Sequence, residues 1–209
     1  MIPDVSIIIA HYDYERYLLR CLRSCLKQRY VTHEIVLVDD ASPNKLWKDS
    51  LFPFCEDERV RVIELEQNVG VAAASNRGIT HARGQFIVRV DADDFVSDDF
   101  CYILKRSLEL NHDAFGVGCD CLLVDEMENV VGRRDAQKEP FSCGIMYRRD
   151  LFLRLGGYDD RMRHREEEEL RARLGEEYKI RYLPLPLYRY RMHGKNKTLS
   201  REYAETVVK

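Results

Sequence analysis

The sequence predicts an α/β fold, a doubly wound, mixed and mostly parallel sheet flanked by helices. Along the first half of the chain, short apolar runs rich in β-branched residues alternate with segments of helical periodicity. Strands that alternate with helices in this way favour parallel pairing, with helices on both faces of the sheet. The 209 residues fit a single domain that can bury most of its apolar surface.

The individual elements follow from these periodicities. In the first half, strands are predicted at residues 5–10, 34–38, 60–65 and 86–90, and helices at about 17–26, 71–82 and 99–106. The second half is less regular. It predicts strands at 114–119, 121–124, 142–147 and 180–187, a helix at 148–155 ended by two glycines, a polar loop at 129–139 and a polar tail from 188.

Acidic residues follow two of the predicted strands at the point where each strand ends. Asp39 and Asp40 come directly after the second strand, and Asp91, Asp93 and Asp94 come after the fourth. The carboxyl ends of parallel strands meet at one edge of a sheet, where doubly wound folds bind their ligands. A hard cation such as Mn²⁺ or Mg²⁺ neutralises crowded carboxylates and also takes phosphate oxygens. The pattern therefore favours a site for a metal-bound phosphate compound.

Two other readings apply to the second acidic group. Residues 91–94 can form a plain turn before a helix capped by Asp98 or Asp99. An EF-hand is excluded, because its loop needs glycine sixth and an acidic residue twelfth. Counted from Asp91, those positions hold Val96 and Tyr102.

Composition and charge restrict the classes of partner. The net charge is −3 and the two signs are interleaved, so no global field favours nucleic acid or an anionic membrane. No apolar run approaches the ~20 residues that span a bilayer, and no basic leader precedes the first strand. A cytoplasmic location is expected, with peripheral association at the inner face of the membrane left open. Seven cysteines without Cys-x-x-Cys spacing predict reduced, mostly buried thiols.

A charged segment at residues 159–169 precedes two leucines four positions apart. At about 100° per residue, those leucines define a helix face toward which Glu166 and Glu167 point, while the next two glutamates point away. Burial would raise the pKa of an inward carboxylate toward the range of a general base, whereas adjacent arginines would lower it. His193, in the polar tail, is either structural or a ligand.

Five short motifs occur in order along the chain. They are Val5 to Asp13; Val38-Asp39-Asp40-Ala41-Ser42; Asn68-Val69-Gly70 through Asn76-Arg77-Gly78; Asp91-Ala92-Asp93-Asp94; and Gly156-Gly157-Tyr158-Asp159-Asp160 with Glu166-Glu167-x-Glu169-Leu170. Together they resemble the family 2 inverting glycosyltransferases, nucleotide-sugar enzymes of the GT-A fold, over residues 4–197. Several positions depart from the family pattern. Ala10 and Asp13 replace proline and asparagine, and Ser75 replaces a common arginine. In the last motif pair, Tyr158 replaces phenylalanine, Asp160 replaces glutamate, and Glu167 and Glu169 replace aspartate.

The resemblance implies a role for each matched residue. It implies a nucleotide-sugar site formed by Ala10, His11, Tyr12, Asp39, Asp40, Asn68, Gly70, Asn76, Asp91, Ala92 and Asp93, with Asp40 reading the base of a UDP- or dTDP-sugar. It implies Mn²⁺ or Mg²⁺ held by Asp91, Asp93, Asp94 and His193. Glu167 falls at the position of the catalytic base.

The expected organisation is one GT-A domain over residues 1–209. Residues 1–97 form its nucleotide-binding half, 98–197 its acceptor and catalytic half, and 198–209 a tail. The resemblance implies transfer of a sugar to the hydroxyl of a saccharide or lipid-linked saccharide, in the synthesis of cell-surface polysaccharide or glycoconjugate. Two alternatives stay open: a catalytically weak module that binds nucleotide sugars, and a nucleotidyltransferase. The second would normally carry a Gly- and Lys-rich loop after strand one, which His11-Tyr12-Asp13-Tyr14 does not provide.

Overall fold

The structure is a computed structural model that describes residues 2–45, 48, 54, 56–141, 143–163, 165–175, 177–194 and 196. Its strands are β1 Val5–His11, β2 His33–Asp39, β3 Val60–Glu64, β4 Phe86–Arg89, β5 Phe95–Val96, β6 Ala114–Val124, β7 Val130–Arg134, β8 Met146–Arg148 and β9 Lys179–Arg191. Its helices are α1 Glu15–Leu26, α2 Val71–His81, α3 Phe100–Leu110, α4 Arg149–Arg154 and α5 Glu166–Leu174. The tail at 198–209 lies outside the described residues.

The strands form one mixed sheet, as predicted. Its order is β3-β2-β1-β4-β8-β6-β9-β5, and β7 pairs with β6. β1 runs parallel to both β2 and β4, and β2 runs parallel to β3. β8 is antiparallel to its neighbours β4 and β6. The parallel half therefore brings the carboxyl ends of β1, β2 and β4 to one edge of the sheet.

Apolar residues cover both faces of the sheet. Successive residues of β1 alternate between two buried clusters: Ile7 and Ile9 pack with α1 and α3, and Ile8 packs with α2 and α5. This two-sided burial explains why β1 and β2 read as continuous apolar runs rather than alternating ones. Residues 91–94 form the turn of the alternative reading, with the Asp94 N–H donating to the Asp91 backbone oxygen at 3.0 Å, but Asp99 stands before α3 without a side-chain cap hydrogen bond.

Gly84 lies where the chain passes closest to β1. Its N–H donates to Ser6 Oγ at 2.8 Å, and an added Cβ would lie 2.6 Å from the backbone nitrogen of Ser6. Because that nitrogen belongs to a central strand, it cannot shift away. We expect Gly84→Ala to lower the free energy of unfolding by ~1–3 kcal/mol, the usual cost of overpacking. Urea denaturation measures this, with Gly194→Ala as control, since nothing lies within 4 Å of an added Cβ there. Equal losses in both variants would contradict the packing argument.

The polar loop predicted at residues 129–139 is wrong in its first half. Val130–Arg134 is the strand β7, which pairs antiparallel with β6 and places Arg134 opposite Cys121. A turn around Asp125 joins the two strands; its carboxylate accepts the backbone N–H groups of Met127 and Asn129. Only two apolar residues mark this strand in the sequence, because it lies at the sheet edge and buries little.

The last strand is longer than predicted. β9 continues past residue 187 to Arg191, and Tyr188, assigned to the polar tail, is fully buried. The prolines at 184 and 186 lie where the pairing of β6 with β9 shifts register. Proline is tolerated at such an irregularity because the strand does not need its missing N–H there. The strand predicted at 142–147 is shorter, since β8 begins only at Met146.

Two other expectations are confirmed. On α5, Glu166 and Glu167 are buried and Glu168 is exposed, while Glu169 is half-buried. Six cysteines are free thiols and buried, and the seventh, Cys55, lies outside the described residues. Nowhere in the described part of the chain is a helix both long and apolar enough to cross a membrane.

Candidate functional site

A cavity of about 560 Å³ opens at the carboxyl ends of β1, β2 and β4. Ten of the residues predicted for the site contribute to its lining: Ala10, His11, Tyr12, Asp40, Asn68, Gly70, Asp91, Ala92, Asp93 and Glu167. The strand ends and the loop before α2 bring the first nine residues together, and the amino end of α5 contributes Glu167. Within the described part of the chain, four other predicted residues stand outside the lining: Asp39, Asn76, Asp94 and His193.

Asp40 organises the loop that leads into α2. Its two carboxylate oxygens accept the backbone N–H groups of Val69 at 2.7 Å and of Gly70 at 2.9 Å. Asn68 donates to the backbone oxygen of Asp40 at 3.2 Å and accepts from Arg163 at 3.2 Å. Gly70 has φ of +91°, and a Cβ there would collide with the Arg163 guanidinium. This wall is therefore a backbone loop held by one buried carboxylate.

Asp39 and Asn76 serve the scaffold around that wall. Asp39 is fully buried, accepts the N–H of Ser42 and is paired with Lys45. Asn76 donates to the backbone oxygen of Tyr158 at 2.7 Å and accepts the Tyr158 N–H at 3.1 Å. Through this pair, α2 fixes the loop that carries Tyr158, whose hydroxyl donates to Glu167. The expected contacts of Asp39 and Asn76 with a nucleotide stay predictions.

Arg89 is a buried cation at the centre of the cavity. It lies at the end of β4, with Nη1 2.7 Å from Glu166 Oε1 and Nε 3.1 Å from Asp91 Oδ1. Burial alone would lower its pKa, but the charges of Asp91 and Glu166 hold the pKa well above its usual value. Glu166 is thus committed to an ion pair that orients Asp91.

Asp93 and Asp94 are neighbours with different surroundings. Asp93 lines the cavity, and its Oδ2 lies 2.9 Å from Nε2 of His193, which stacks on Tyr17. Asp94 is buried, accepts the Tyr188 hydroxyl at 2.8 Å and accepts the Arg191 N–H at 2.8 Å. Burial, with the charges of Asp93 and Asp91, raises the pKa of Asp94 well above its usual value. Asp94 therefore anchors β9 to the acidic motif.

The donor chemistry at this point fits a hard divalent cation. Asp91 and Asp93 present carboxylate oxygens to the cavity, with side chains 31% and 17% exposed. Asp91, Asp94 and Cys143 also bring one ligand atom each within 4.8 Å of one another. Burial raises the pKa of the Cys143 thiol well above its usual value, and the thiol points its hydrogen at Asp94. A thiol is a poor ligand for Mg²⁺ or Mn²⁺, so Asp91 and Asp93 are the better pair.

Glu167 is held by two tyrosine hydroxyl groups. Tyr147 donates to both of its oxygens, at 3.0 and 2.8 Å, and Tyr158 donates to Oε1 at 2.8 Å. The side chain is 1% exposed, yet it contributes to the cavity wall. Burial raises the pKa of Glu167, while the charges of Arg89 and Arg171 and the two hydroxyls oppose the rise. A carboxylate in this state can accept a proton at the base of the cavity.

Sequence reasoning missed several residues of this site. Arg89 sits in an apolar strand, and a cation buried in such a run signals acidic partners nearby. Tyr147 and Tyr158 are 20 and 9 residues from Glu167, and their hydroxyls have no signature in the sequence. Arg134 and Arg171 also line the cavity, although no motif in the neighbouring sequence marks them as site residues.

Comparison with known proteins identifies relatives of this chain. GlyG, a glycosyltransferase of Streptococcus pneumoniae serotype 4, is 35% identical over 105 residues, 50% of this chain and 35% of GlyG. The succinoglycan biosynthesis protein ExoO of Rhizobium meliloti is 40% identical over 108 residues, 52% of this chain and 30% of ExoO. EpsE of Bacillus subtilis is 31% identical over 183 residues, 80% of this chain and 64% of EpsE. Three of the curated relatives are matched over only 34% to 49% of their own length.

The solved structures agree on the architecture. S. aureus TarS 1-349, crystallised in complex with UDP-GlcNAc, superposes with a TM-score of 0.79 at 18% identity. The match covers 97% of this chain and 64% of that one. At this identity the likeness establishes the fold, and the GT-A class expected from the motifs is confirmed. The model of the family described as Glycosyl transferase family 2 matches residues 6–152, well over half of the sequence. The chain belongs to glycosyl transferase family 2.

Proposed function

We propose that this chain transfers a sugar from a nucleoside diphosphate sugar to an acceptor hydroxyl with inversion of configuration. One observation carries the proposal: Asp40, Asp91, Asp93 and Glu167, from three separate segments, all line one cavity. The relatives support the biological setting, since ExoO is described as a succinoglycan biosynthesis protein. We therefore propose a role in the synthesis of cell-surface polysaccharide or glycoconjugate.

The donor site lies on the wall formed by Asp40 and the Asn68 loop. Each oxygen of Asp40 accepts one backbone N–H and keeps a second lone pair for an N–H of the nucleobase. Uracil and thymine have an N3–H that can donate to such a lone pair, which favours a UDP- or dTDP-sugar. The TarS structure contains UDP-GlcNAc, which agrees with a uridine nucleotide.

The diphosphate would lie between that wall and the acidic motif. Asp91 and Asp93 would hold Mn²⁺ or Mg²⁺ there, and the bound ion would stabilise the negative charge of the departing diphosphate. The ion pair with Arg89 holds the Asp91 carboxylate in a fixed orientation. His193 would fix Asp93 in the same way, through its contact with Oδ2.

Glu167 would act as the general base. Its Oε2 accepts only the Tyr147 hydroxyl among the described residues, so one lone pair is left for the acceptor's hydroxyl proton. As that proton moves to Glu167, the acceptor oxygen forms a bond to the anomeric carbon. The bond from that carbon to the diphosphate oxygen breaks on the opposite face, and the diphosphate leaves with the electron pair. The result is one displacement with inversion.

A nucleotide screen tests the donor assignment. We expect UDP or dTDP, with Mn²⁺, to raise the melting temperature, because a ligand that binds only the native state stabilises it by mass action. GDP is the comparison, because guanine also has an N–H that the Asp40 carboxylate could accept. A shift with GDP but with neither UDP nor dTDP would overturn the pyrimidine assignment. Donor hydrolysis with and without Mn²⁺ then separates an active transferase from a module that only binds nucleotide sugars.

Tyr158→Phe tests the environment of the proposed base. Its hydroxyl lowers the pKa of Glu167, so removing it should raise that pKa further. Glu167 would then stay protonated, and inactive as a base, up to a higher pH. The acidic limb of the rate profile should move to higher pH, while the rate on the alkaline plateau changes little. A profile that keeps the wild-type acidic limb would mean that Glu167 is not the titrating base.

A further inference from the structure

Two arginines of the cavity lining have no part in the proposed reaction. Arg134, at the end of β7, and Arg171, on α5, both belong to the lining. Phe141 and Tyr190 line the same part of the cavity. Arg171 donates to the backbone oxygen of Phe141 at 3.2 Å, and the Arg134 guanidinium lies 5.7 Å from the centre of the Tyr190 ring. Phe141 also packs on Tyr188, which pairs with the same residue of β6 as Arg134 does, so the two arginines and two aromatic rings form one wall.

The glutamates that line the cavity are bonded to groups other than these two arginines, and Glu167 is bonded to two tyrosines. Glu166 is paired with Arg89 at 2.7 Å, and Glu168 is paired with Arg165. Arg171 makes no ion pair with any carboxylate in the described ranges of the chain, and its Nε is buried there without a hydrogen-bond acceptor. Among the described residues Arg134 has one ion-pair partner, Glu139 at 3.6 Å, whose side chain is 75% exposed. Such an exposed and loose contact is worth little and is easily replaced.

Arg171 lies near the proposed base as well as at the wall. Its charge is among the causes that oppose the rise in the pKa of Glu167. An acceptor must place its hydroxyl at Glu167, so a group a few bonds away from that hydroxyl would reach Arg171. A guanidinium binds carboxylate and phosphate oxygens through a planar fork, and aromatic side chains supply the apolar part of a binding wall.

We infer that the acceptor is anionic, a saccharide with a carboxylate or a phosphate group that Arg134 and Arg171 bind while its sugar ring lies against Phe141 and Tyr190. This rests on the proposed function, because it assigns the acceptor side of the same cavity. A uronic acid and a sugar phosphate share the required chemistry, namely negatively charged oxygens next to a ring. These arginines would thus determine which acceptors the enzyme accepts.

Binding titrations test this inference with defined sugars. D-glucose, D-glucuronate and D-glucose 6-phosphate have the same carbon skeleton and differ at carbon six only. Each is titrated by saturation-transfer NMR into the full chain saturated with UDP and Mg²⁺, so that the phosphate cannot bind at the donor site. We expect one or both anions to bind at least ~10-fold more tightly than glucose, because charge-assisted hydrogen bonds are the strong ones. Comparison of the affinities for the two anions then shows whether the wall prefers a carboxylate or a phosphate group.

Matched variants show whether the arginines cause the preference. Arg134→Gln and Arg171→Gln should each reduce the affinity for the anion toward that for glucose, without changing the affinity for glucose. Arg171→Lys, which keeps the charge, should recover part of it. Arg133→Gln is the control, because Arg133 is adjacent on β7, is bonded to Asp120 and Pro184, and lies outside the cavity lining. Melting curves verify that each variant is folded.

Several results would overturn the inference. Equal affinities for the three sugars would do so, as would an equal loss in Arg133→Gln, or a loss of UDP affinity in the Arg134 and Arg171 variants. A loss of UDP affinity would mean that the two arginines bind the donor rather than the acceptor. Failure of UDP to bind the wild-type chain would instead contradict the proposed function. In that case the glucose and glucuronate titrations, repeated without UDP, still decide whether the wall prefers an anion.

Discussion

Glu167→Gln is expected to reduce sugar transfer by ~100-fold or more, the range for loss of a general base. Glutamine keeps the size of the side chain and can still accept a hydrogen bond from Tyr147 or Tyr158, but it cannot take a proton at neutral pH. The loss should appear in kcat, because the Glu167 carboxylate is hydrogen-bonded to Tyr147 and Tyr158 and not to the Asp40 loop. Calorimetric titration with UDP should give nearly the wild-type affinity.

Glu166→Gln is the informative comparison, since Glu166 is the rival carboxylate on the same helix face. Its ion pair with Arg89 is buried, so the variant leaves Arg89 with Asp91 as its remaining acidic partner within ion-pair distance among the described residues. We expect reduced thermal stability and altered diphosphate binding, because breaking one side of a buried pair leaves an uncompensated charge. Its transfer rate should fall less than that of Glu167→Gln. If Glu166→Gln alone abolished transfer, Glu166 would be the base.

Asp93→Ala is expected to weaken metal-dependent UDP binding by at least ~10-fold, since even indirect partners of metal ligands cost 10- to 100-fold when removed. The carboxylate lines the cavity and carries the contact with His193. The fold should be retained, because Asp94, not Asp93, accepts the hydrogen bonds that anchor β9. Titrations with UDP and Mn²⁺, repeated in EDTA, measure the metal-dependent part.

Asp98→Ala provides a matched control for that experiment. Asp98 lies beyond the next strand, β5, pairs with Arg29 at the surface and lies outside the cavity lining. It should bind UDP and Mn²⁺ as the wild type does. A wild-type affinity in Asp93→Ala would remove Asp93 from the metal site and leave Asp91 with the buried Asp94 and Cys143 as the nearest ligand set.

The two tyrosines around Glu167 bear on the departure from the family pattern. The usual aspartate is one methylene shorter than the glutamate of this chain, and the usual phenylalanine in the Gly-Gly motif is replaced by Tyr158. The Tyr158 hydroxyl donates to Glu167 at 2.8 Å. The longer carboxylate is therefore held in place by a hydrogen bond that a phenylalanine would not supply. The two substitutions are physically linked.

Local patterns determined a large part of this protein. Continuous apolar runs predicted the buried strands β1 and β2, because a strand covered on both faces excludes polar residues. The alternation of these strands with helices was enough to predict that Asp40 and Asp91 lie at one sheet edge. Helical rotation alone assigned Glu166 and Glu167 to the buried face of α5, which the structure confirms. Each of these inferences depends on residues close together in the chain.

Only the tertiary structure decided which side chains meet. Arg89 and Glu166 are 77 residues apart, Asp93 and His193 are 100 apart, and no local pattern specifies either contact. The same holds for β7 and the end of β9, because strand formation depends on the neighbouring strand more than on intrinsic propensity. The pKa of Glu167 is likewise a product of packing, since it reflects burial together with the hydroxyls of Tyr147 and Tyr158. Sequence periodicity brings the carboxylates to the cavity, and long-range packing assigns each one its partner and charge state.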